Sequence, residues 1–501
     1  METLPSDHMP QASIIETDDD YLESLRHRKM RIFLFGELVK EPVDHPMIRP
    51  SINAVAETYN LARRNPDLAT AKSPLTGEPV NRFLHIAQSA DDLLQQNKMQ
   101  RHLGQLTGTC FQRCVGMDAI NTLYSVTYEI DEQHGTEYHA RLRKFVTYAQ
   151  QHNFVIGGAM TDVKGDRRLA PHEQHDPDLF VHITHRTADG VYISGAKAHQ
   201  TGGINSHWLL VMPTLRLREA DAEYAIAGAI PVEASGLTYI VGRQSCDERS
   251  LEGGDIDPGN VHFSGLEVLI VFEDVFIPNE LIFMDGEYEF ASMLVNRFTC
   301  YHRRSYVCKS GVGDVLIGAA AQVAEYNGID QASHIKHKLV EMTHLNETIY
   351  ATGIAASTQA ESTHSGAVLP NEMLANVCKL HVTKIPYEIG RIAQDLAGGL
   401  VVTMPSEKDF ANGEVGPLLN KYLKGRADVP TEYRMRIMRL IENMTLGRNA
   451  VGYLTESLHG AGSPQAQRIM IQRGMQIESK KQLARILSGI EQRDEIVEDN
   501  L

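Results

Sequence analysis

The sequence predicts a three-part α and β protein: a helical domain over residues 1–155, a β-barrel or sandwich over 156–286, and a second helical domain ending in a four-helix bundle over 287–501. Three observations predict it. Apolar residues recur at helical intervals through much of the first 155 residues. The middle holds short β-branched and aromatic runs, punctuated by Gly, Pro or Asp at intervals of roughly 10–20 residues. Long periodic helical segments return beyond Glu287.

In order along the chain, helices are expected over 19–31, 91–103 and 116–128, with proline-rich breaks at 41–46 and at Arg49-Pro50. Strands are expected at 179–184, 190–195, 207–212, 225–232, 237–241 and 267–273. Helices follow at 312–326, 332–360, 371–396, 430–444 and 464–490, and the acidic stretch 491–501 is expected to fray.

Composition narrows the function. A net charge of −16 argues against a nucleic-acid partner, which needs a basic face. It leaves room for local basic pockets that take an anionic small substrate, with Lys164, Arg167 and Arg168 as one candidate and His302, Arg303 and Arg304 as another. No apolar run reaches the length of a membrane span, and the acidic, polar start carries no signal core, so a cytoplasmic location without a membrane partner is expected. Six cysteines in 501 residues do not make a disulfide framework, which leaves the thiols available to a metal.

Two stretches concentrate soft ligands. Cys110 and Cys114 stand four apart, so on a helix both thiols share a face. About 190 residues later come Cys300, His302, Tyr306, Cys308 and Lys309. Thiolates and an imidazole suit an iron–sulfur centre or a Lewis-acid metal. The same cysteines also read as small buried hydrophobes on a helix. Elsewhere Lys164-Gly-Asp-Arg167 reads as a polar turn or an anion contact. Glu267 stands in an apolar strand, where an unpaired carboxylate is costly. Glu456 lies beside His459-Gly-Ala-Gly.

Several blocks carry a resemblance: Asp44-His-Pro-Met-Ile-Arg-Pro-Ser-Ile-Asn53, Cys110-Phe-Gln-Arg-Cys114, Met160-Thr-Asp-Val-Lys-Gly-Asp-Arg167, Ala198-His-Gln-Thr201-Gly, Met404-Pro-Ser-Glu407 and Thr455-Glu-Ser-Leu-His-Gly-Ala-Gly-Ser-Pro-Gln465. Over about 21–490 the chain resembles the 4-hydroxyphenylacetate 3-hydroxylase family, which has an acyl-CoA dehydrogenase-like fold. The cysteines select its dehydratase branch, the 4-hydroxybutyryl-CoA dehydratases and vinylacetyl-CoA Δ-isomerases.

The resemblance implies FAD and a [4Fe-4S] cluster, the latter held by Cys110, Cys114, His302 and Cys308. It implies flavin contacts from Met160, Thr161, Asp162, Lys164, Asp166, Arg167, His199, Gln200 and Thr201. It also implies that a turn at Gly398-Gly399 meets the flavin of a neighbouring subunit, in a homotetramer built as a dimer of dimers. The implied acid–base set is His302, Tyr306, Lys309, Glu267 and Glu456, with Gln112 and Thr201 as polar contacts near flavin or substrate. The implied reaction is dehydration of 4-hydroxybutyryl-CoA to crotonyl-CoA through a flavin-mediated ketyl radical, together with isomerisation of vinylacetyl-CoA.

One departure stands out. The family spacing has Tyr-x-x-Cys after the histidine, and this chain has Tyr306-Val-Cys308, so Cys308 is six residues from His302 and about 120° off its face on a regular helix. A bulge or non-helical turn restores the geometry, and Cys300 is a replacement candidate. The other branch gives the alternative function: a cluster-free, two-component flavin monooxygenase acting on a phenol such as 4-hydroxyphenylacetate.

Overall fold

The computed structural model describes residues 8–243, 254, 256 and 262–491; most of the acidic end, 492–501, lies outside the described residues. Capping chemistry sets the early helices. Asp18–Ser24 begins with a capping box on Thr17 and Asp20, and Ala90–Thr107 with one on Ser89 and Asp92. The first helix is shorter than expected because the chain turns at His27, φ 59°, into a strand. The Arg49-Pro50 break is corrected: Pro50 lies in the first turn of helix Arg49–Arg64, where its missing N–H has no intrahelical partner to lose. Helices Cys114–His134 and Tyr138–His152 complete this region.

The strands in chain order are β1 (Ile32–Leu34), β2 (Glu37–Val39), β3 (Thr70–Lys72), β4 (Pro79–Asn81), β5 (Ile156–Ala159), β6 (His182–Arg186), β7 (Gly190–Thr201), β8 (Trp208–Val211), β9 (Ile226–Pro231), β10 (Leu237–Val241), β11 (Glu267–Pro278) and β12 (Ile282–Asp285). They form a six-stranded sheet of order β2-β1-β10-β11-β7-β6 and a four-stranded sheet of order β12-β9-β8-β5, with β3 and β4 as a separate pair; Glu361–Ser362 and Val368–Leu369 make a further two-stranded pair later in the chain. β1 and β2 come from the helical first part and join the larger sheet through β10. β11 and β7 pair antiparallel, with Glu267 opposite Thr201 at one end.

The later helices are Ala291–Ser305, Cys308–Tyr326, Ser333–Thr358, Glu372–Val382, Ile385–Ala397 and Thr431–Thr445. Cys308–Tyr326 packs against Ser333–Thr358, Ile385–Ala397, Thr431–Thr445 and Ala90–Thr107. Two expected helices are each broken in two. Pro386 forces a restart after Val382, and Gln476, φ 45°, separates Pro464–Gly474 from Ile477–Leu487. The helical stretch Tyr288–Tyr326 is long and apolar enough to cross a membrane by length and composition, contrary to the sequence reading, but it is mostly buried within the protein.

Among the described residues the two largest apolar clusters are one that includes Met9, Trp208 and Phe298 and one that includes Tyr306, Leu316, Ile389 and Tyr453. Gly104 and Gly311 bring two helices together backbone to backbone. A Cβ on Gly104 would overlap the Cys308 carbonyl, and one on Gly311 the Arg101 carbonyl. That contact sets Cys308 beside the segment that carries Cys110.

Candidate active site

The spacing of Cys110 and Cys114 suggested one helical face; the structure corrects this. Helix Ala90–Thr107 ends at Gly108, φ 60°, and the next helix begins at Cys114, so Cys110 lies in the loop between them. Gln112 holds that loop in a left-handed conformation, φ 61°. Its side-chain nitrogen donates to the carbonyls of Ser51 at 2.8 Å and Ser264 at 3.3 Å, and its oxygen accepts from Asn205 at 3.1 Å. All its polar atoms are engaged, so Gln112 anchors the loop. Arg113, buried, lies over the rings of Tyr59 and Phe83 at 4.9 Å each and donates to Thr58 at 2.9 Å.

His302 and Cys308 belong to different helices. Around their junction the amides of Tyr306, Val307, Lys309 and Ser310 each bond to the carbonyl three residues back. This local three-residue tightening breaks the regular helix that the spacing argument assumed. Cys300 is buried and donates to the Pro370 carbonyl at 2.9 Å, in a cluster with Ala356 and Ala375. His302 Nδ1 lies 2.8 Å from Asp118 Oδ2, and its ring stacks on Phe298 at 5.3 Å and meets Tyr306 edge-on at 5.4 Å. Asp118 is buried and stands one turn after Cys114.

Cys110, Cys114, His302 and Cys308 are all half-buried, whereas Phe111, Met117, Tyr306 and Lys309 around them are buried. Burial pushes the thiols of Cys110 and Cys114 well up. The charge of Glu456 adds to it at Cys110, and those of Cys308 and Asp118 at Cys114. Burial likewise raises Cys308 to about 11, against the opposing pull of Lys309. Such thiols stay protonated unless a cation draws off the protons. Among the described residues no three His, Cys, Asp or Glu side chains are gathered tightly enough for a single metal ion.

The acid–base candidates come together on the other side of Cys110. A small cavity is lined by Cys110, Gly265, Glu267, Arg448, Val451, Gly452 and Glu456. A π-helical turn, Val451–Thr455, precedes Glu456 and lays Gly452 against Thr109 and Cys110. Lys309 Nζ donates to Glu456 at 2.5 Å and to the Gly452 carbonyl at 2.6 Å. Burial lowers the Lys309 pKa, but the charges of Glu456 and the nearby thiols outweigh it and the net shift is upward. Glu267 accepts from Thr201 Oγ1 at 2.7 Å; burial, reinforced by Glu456, pushes its carboxyl up to about 8. Tyr306 is raised well above its usual value, by burial and then by Glu456. A Cβ on Gly460 would overlap the Tyr306 hydroxyl, so only glycine fits there.

The residues implied for flavin divide. Met160 and Gln200 are buried, and the Met160 amide donates to Gln200 Oε1 at 3.1 Å. Asp162 is buried, paired with Lys197 at 2.5 Å and bonded by Thr214 at 2.8 Å, so its oxygens are engaged within the protein. Thr161 is half-buried, and its carbonyl accepts from Gln200 at 3.2 Å. Lys164 and Arg167 are exposed, while Asp166 pairs with Arg168 at 2.5 Å. His199 is exposed with φ 56°; partial burial and then the charges of Lys164 and His459 hold its pKa down. Gly398 and Gly399 form an exposed turn, with φ 72° at Gly398 and open space around both.

The sequence reading missed Asp118 and Lys379. Asp118 was visible as the lone acid within the buried run 116–127 of its helix. Lys379, on Glu372–Val382, is fully buried; burial and then the charges of Lys309 and Arg303 push it down to about 7. No local pattern marks it.

Residues 17–284 match the 4-hydroxyphenylacetate 3-hydroxylase N-terminal model, and residues 291–489 the C-terminal model. The chain is 54% identical over 489 residues to 4-hydroxybutyryl-CoA dehydratase/vinylacetyl-CoA-Δ-isomerase of Clostridium aminobutyricum, covering 95% of this chain and 100% of that one. A solved archaeal 4-hydroxybutyryl-CoA dehydratase from N. maritimus is 68% identical, with a TM-score of 0.94 over 96% of each chain. The FAD complex of the oxygenase component of 4-hydroxyphenylacetate 3-monooxygenase shares the fold at a TM-score of 0.81 and 23% identity, over 95% of this chain and 100% of that one. The chain therefore belongs to the 4-hydroxyphenylacetate 3-hydroxylase family, in its branch of 4-hydroxybutyryl-CoA dehydratase and vinylacetyl-CoA isomerase enzymes.

Proposed function

We propose that the protein dehydrates 4-hydroxybutyryl-CoA to crotonyl-CoA and moves the double bond of vinylacetyl-CoA, with FAD and a [4Fe-4S] cluster bound. The observation that carries the reading is the half-buried set Cys110, Cys114, His302 and Cys308, with Cys110 opening onto the cavity of Glu267 and Glu456. A four-iron cube takes one ligand at each corner, so its ligands stand further apart than those of a single ion. The His302–Asp118 bond also fits: an imidazole that gives Nδ1–H to a carboxylate keeps Nε2 for a metal. Cys110, Cys114, Cys308 and His302 would hold the cluster. The segment Met160–Arg167 with His199, Gln200 and Thr201 would hold the flavin, with the exposed Lys164 and Arg167 as cations for its phosphates.

When bound, the two cofactors supply reversible one-electron exchange and a Lewis-acid iron for the leaving hydroxyl. The chain's own groups handle protons. Glu456, held by Lys309, accepts a proton from the substrate carbon. Glu267 stays protonated at neutral pH and serves as donor, oriented by Thr201. His302 would relay the C3 proton to the departing C4 hydroxyl through Nε2 when that nitrogen is not on iron, its Nδ1–H staying with Asp118. The buried, apolar surroundings of Tyr306 exclude water. The reading includes a homotetramer in which the exposed Gly398-Gly399 turn would complete a neighbour's flavin site.

The cluster-free hydroxylase reading leaves Cys110, Cys114 and Cys308 without a task, and relatives of that activity are 25% identical or less. The test is anaerobic purification with flavin, iron and sulfide analysis, then assay with 4-hydroxybutyryl-CoA. Crotonyl-CoA from protein carrying both cofactors is expected. Flavin without iron, or full loading without product, would refute the reading.

A further inference from the structure

Lys379 lies outside the acid–base set, yet it touches two of that set's elements. It is fully buried, on helix Glu372–Val382. Its Nζ donates to the Ser457 carbonyl at 2.5 Å. The same nitrogen stands 4.5 Å from the centre of the Tyr306 ring, nearer than Lys309 at 5.6 Å. Lys309 is neutralised by Glu456, whereas among the described residues no carboxylate pairs with Lys379. A buried ammonium is costly without a counter-charge. A methionine of similar length would fill the same space more cheaply, so packing alone does not explain a lysine here.

What the lysine adds is a tie between two segments far apart in sequence. Ser457 follows Glu456 directly, and the Ser457 hydroxyl donates to the Tyr453 carbonyl at 2.5 Å across the π-turn. The ring of Tyr306 sits at the turn between helices Ala291–Ser305 and Cys308–Tyr326, with its hydroxyl against Gly460. We propose that Lys379 is a positioning residue: it bolts the Ser457 carbonyl, and so the Glu456 turn, to the face of Tyr306, fixing the two proton-handling groups relative to one another. One short hydrogen bond and a contact with the ring face, made by the same nitrogen, give that tie a direction that an apolar side chain lacks.

The inference rests on the reading that Tyr306 and Glu456 handle protons, and its test separates the two. The probes are 4-hydroxybutyryl-CoA turnover by the loaded enzyme and the fluorine NMR resonance of 3-fluorotyrosine placed at position 306. In Lys379→Met, kcat should fall about tenfold or more with KM within about twofold, at unchanged flavin and iron content. Lys379→Arg should recover part of that loss. The fluorine resonance should shift or broaden in Lys379→Met relative to wild type. If Lys379→Met does not fold, Lys379→Gln is judged by the same criteria. A kcat within about twofold of wild type overturns the proposal. If wild type itself forms no crotonyl-CoA, the functional reading fails, and the resonance alone decides: unchanged, it overturns the tie; changed, it supports it.

Discussion

His302 Nδ1 and Asp118 Oδ2 lie 2.8 Å apart, joining a helix end at residue 302 to a helix start at residue 114. Asp118 also accepts from Ser305 at 3.1 Å, so one buried carboxylate fixes both the histidine and the turn that follows it. Asp118→Asn should therefore lower iron occupancy or turnover by about 10–100-fold while leaving flavin in place. Iron analysis and crotonyl-CoA assay on the same preparation check this; wild-type values in both would detach Asp118 from the site.

The cysteines divide sharply. Cys110→Ser, Cys114→Ser and Cys308→Ser should each remove iron and the broad visible absorbance of a thiolate-bound centre. Cys300→Ser should keep both, because its thiol points to the Pro370 carbonyl in an apolar cluster. Absorption spectra of the four anaerobic variants make the comparison. Loss of iron in Cys300→Ser with retention in Cys308→Ser would reverse the ligand assignment.

The pH dependence of stability carries the mark of Glu267. Its folded pKa, raised to about 8 by burial and Glu456, lies above its ordinary value of 4.5. The native state then binds more protons than the unfolded chain between those values, so stability falls as pH rises through that window. Glu267→Gln removes the titration. Wild type should lose stability relative to Glu267→Gln as pH climbs from about 5 to about 8, and denaturant midpoints across that range report it. Parallel curves would show that Glu267 titrates normally. Turnover in Glu267→Gln should drop by about 10²–10⁴ through loss of the proton donor.

Gly460 is a steric test of the same site. A methyl group there would overlap the Tyr306 hydroxyl and push it from its place. Gly460→Ala should cut turnover by about 100-fold with both cofactors bound, since small misplacements at reacting groups cost that much. Unaltered kcat would mean that the Tyr306 hydroxyl has no fixed part in the reaction.

How far the sequence carried the reading depends on whether the determining contact was local. The strands were legible because β-branched and aromatic runs such as 267–273 and 237–241 carry their own pattern. The helix at Arg49–Arg64 was hidden by Pro50, whose role differs at a helix start and within a helix. Cys110 was misplaced because the loop depends on Gly108 and Gln112 at positive φ, which spacing does not encode. The neighbours of Glu456 were partly legible by resemblance, whereas Asp118 and Lys379 act on residues about 70–180 positions away in sequence and show only once the helices pack.

The central claim is that His302 both completes the cluster's ligand set and serves the leaving hydroxyl. Crotonyl-CoA formation from 4-hydroxybutyryl-CoA, measured anaerobically for wild type and His302→Cys with iron determined in each, tests it most directly. A thiolate holds iron but replaces imidazole poorly as a proton carrier. Product from wild type and loss of dehydration in His302→Cys, even where its iron is retained, are expected; equal rates at equal iron would make His302 a bystander.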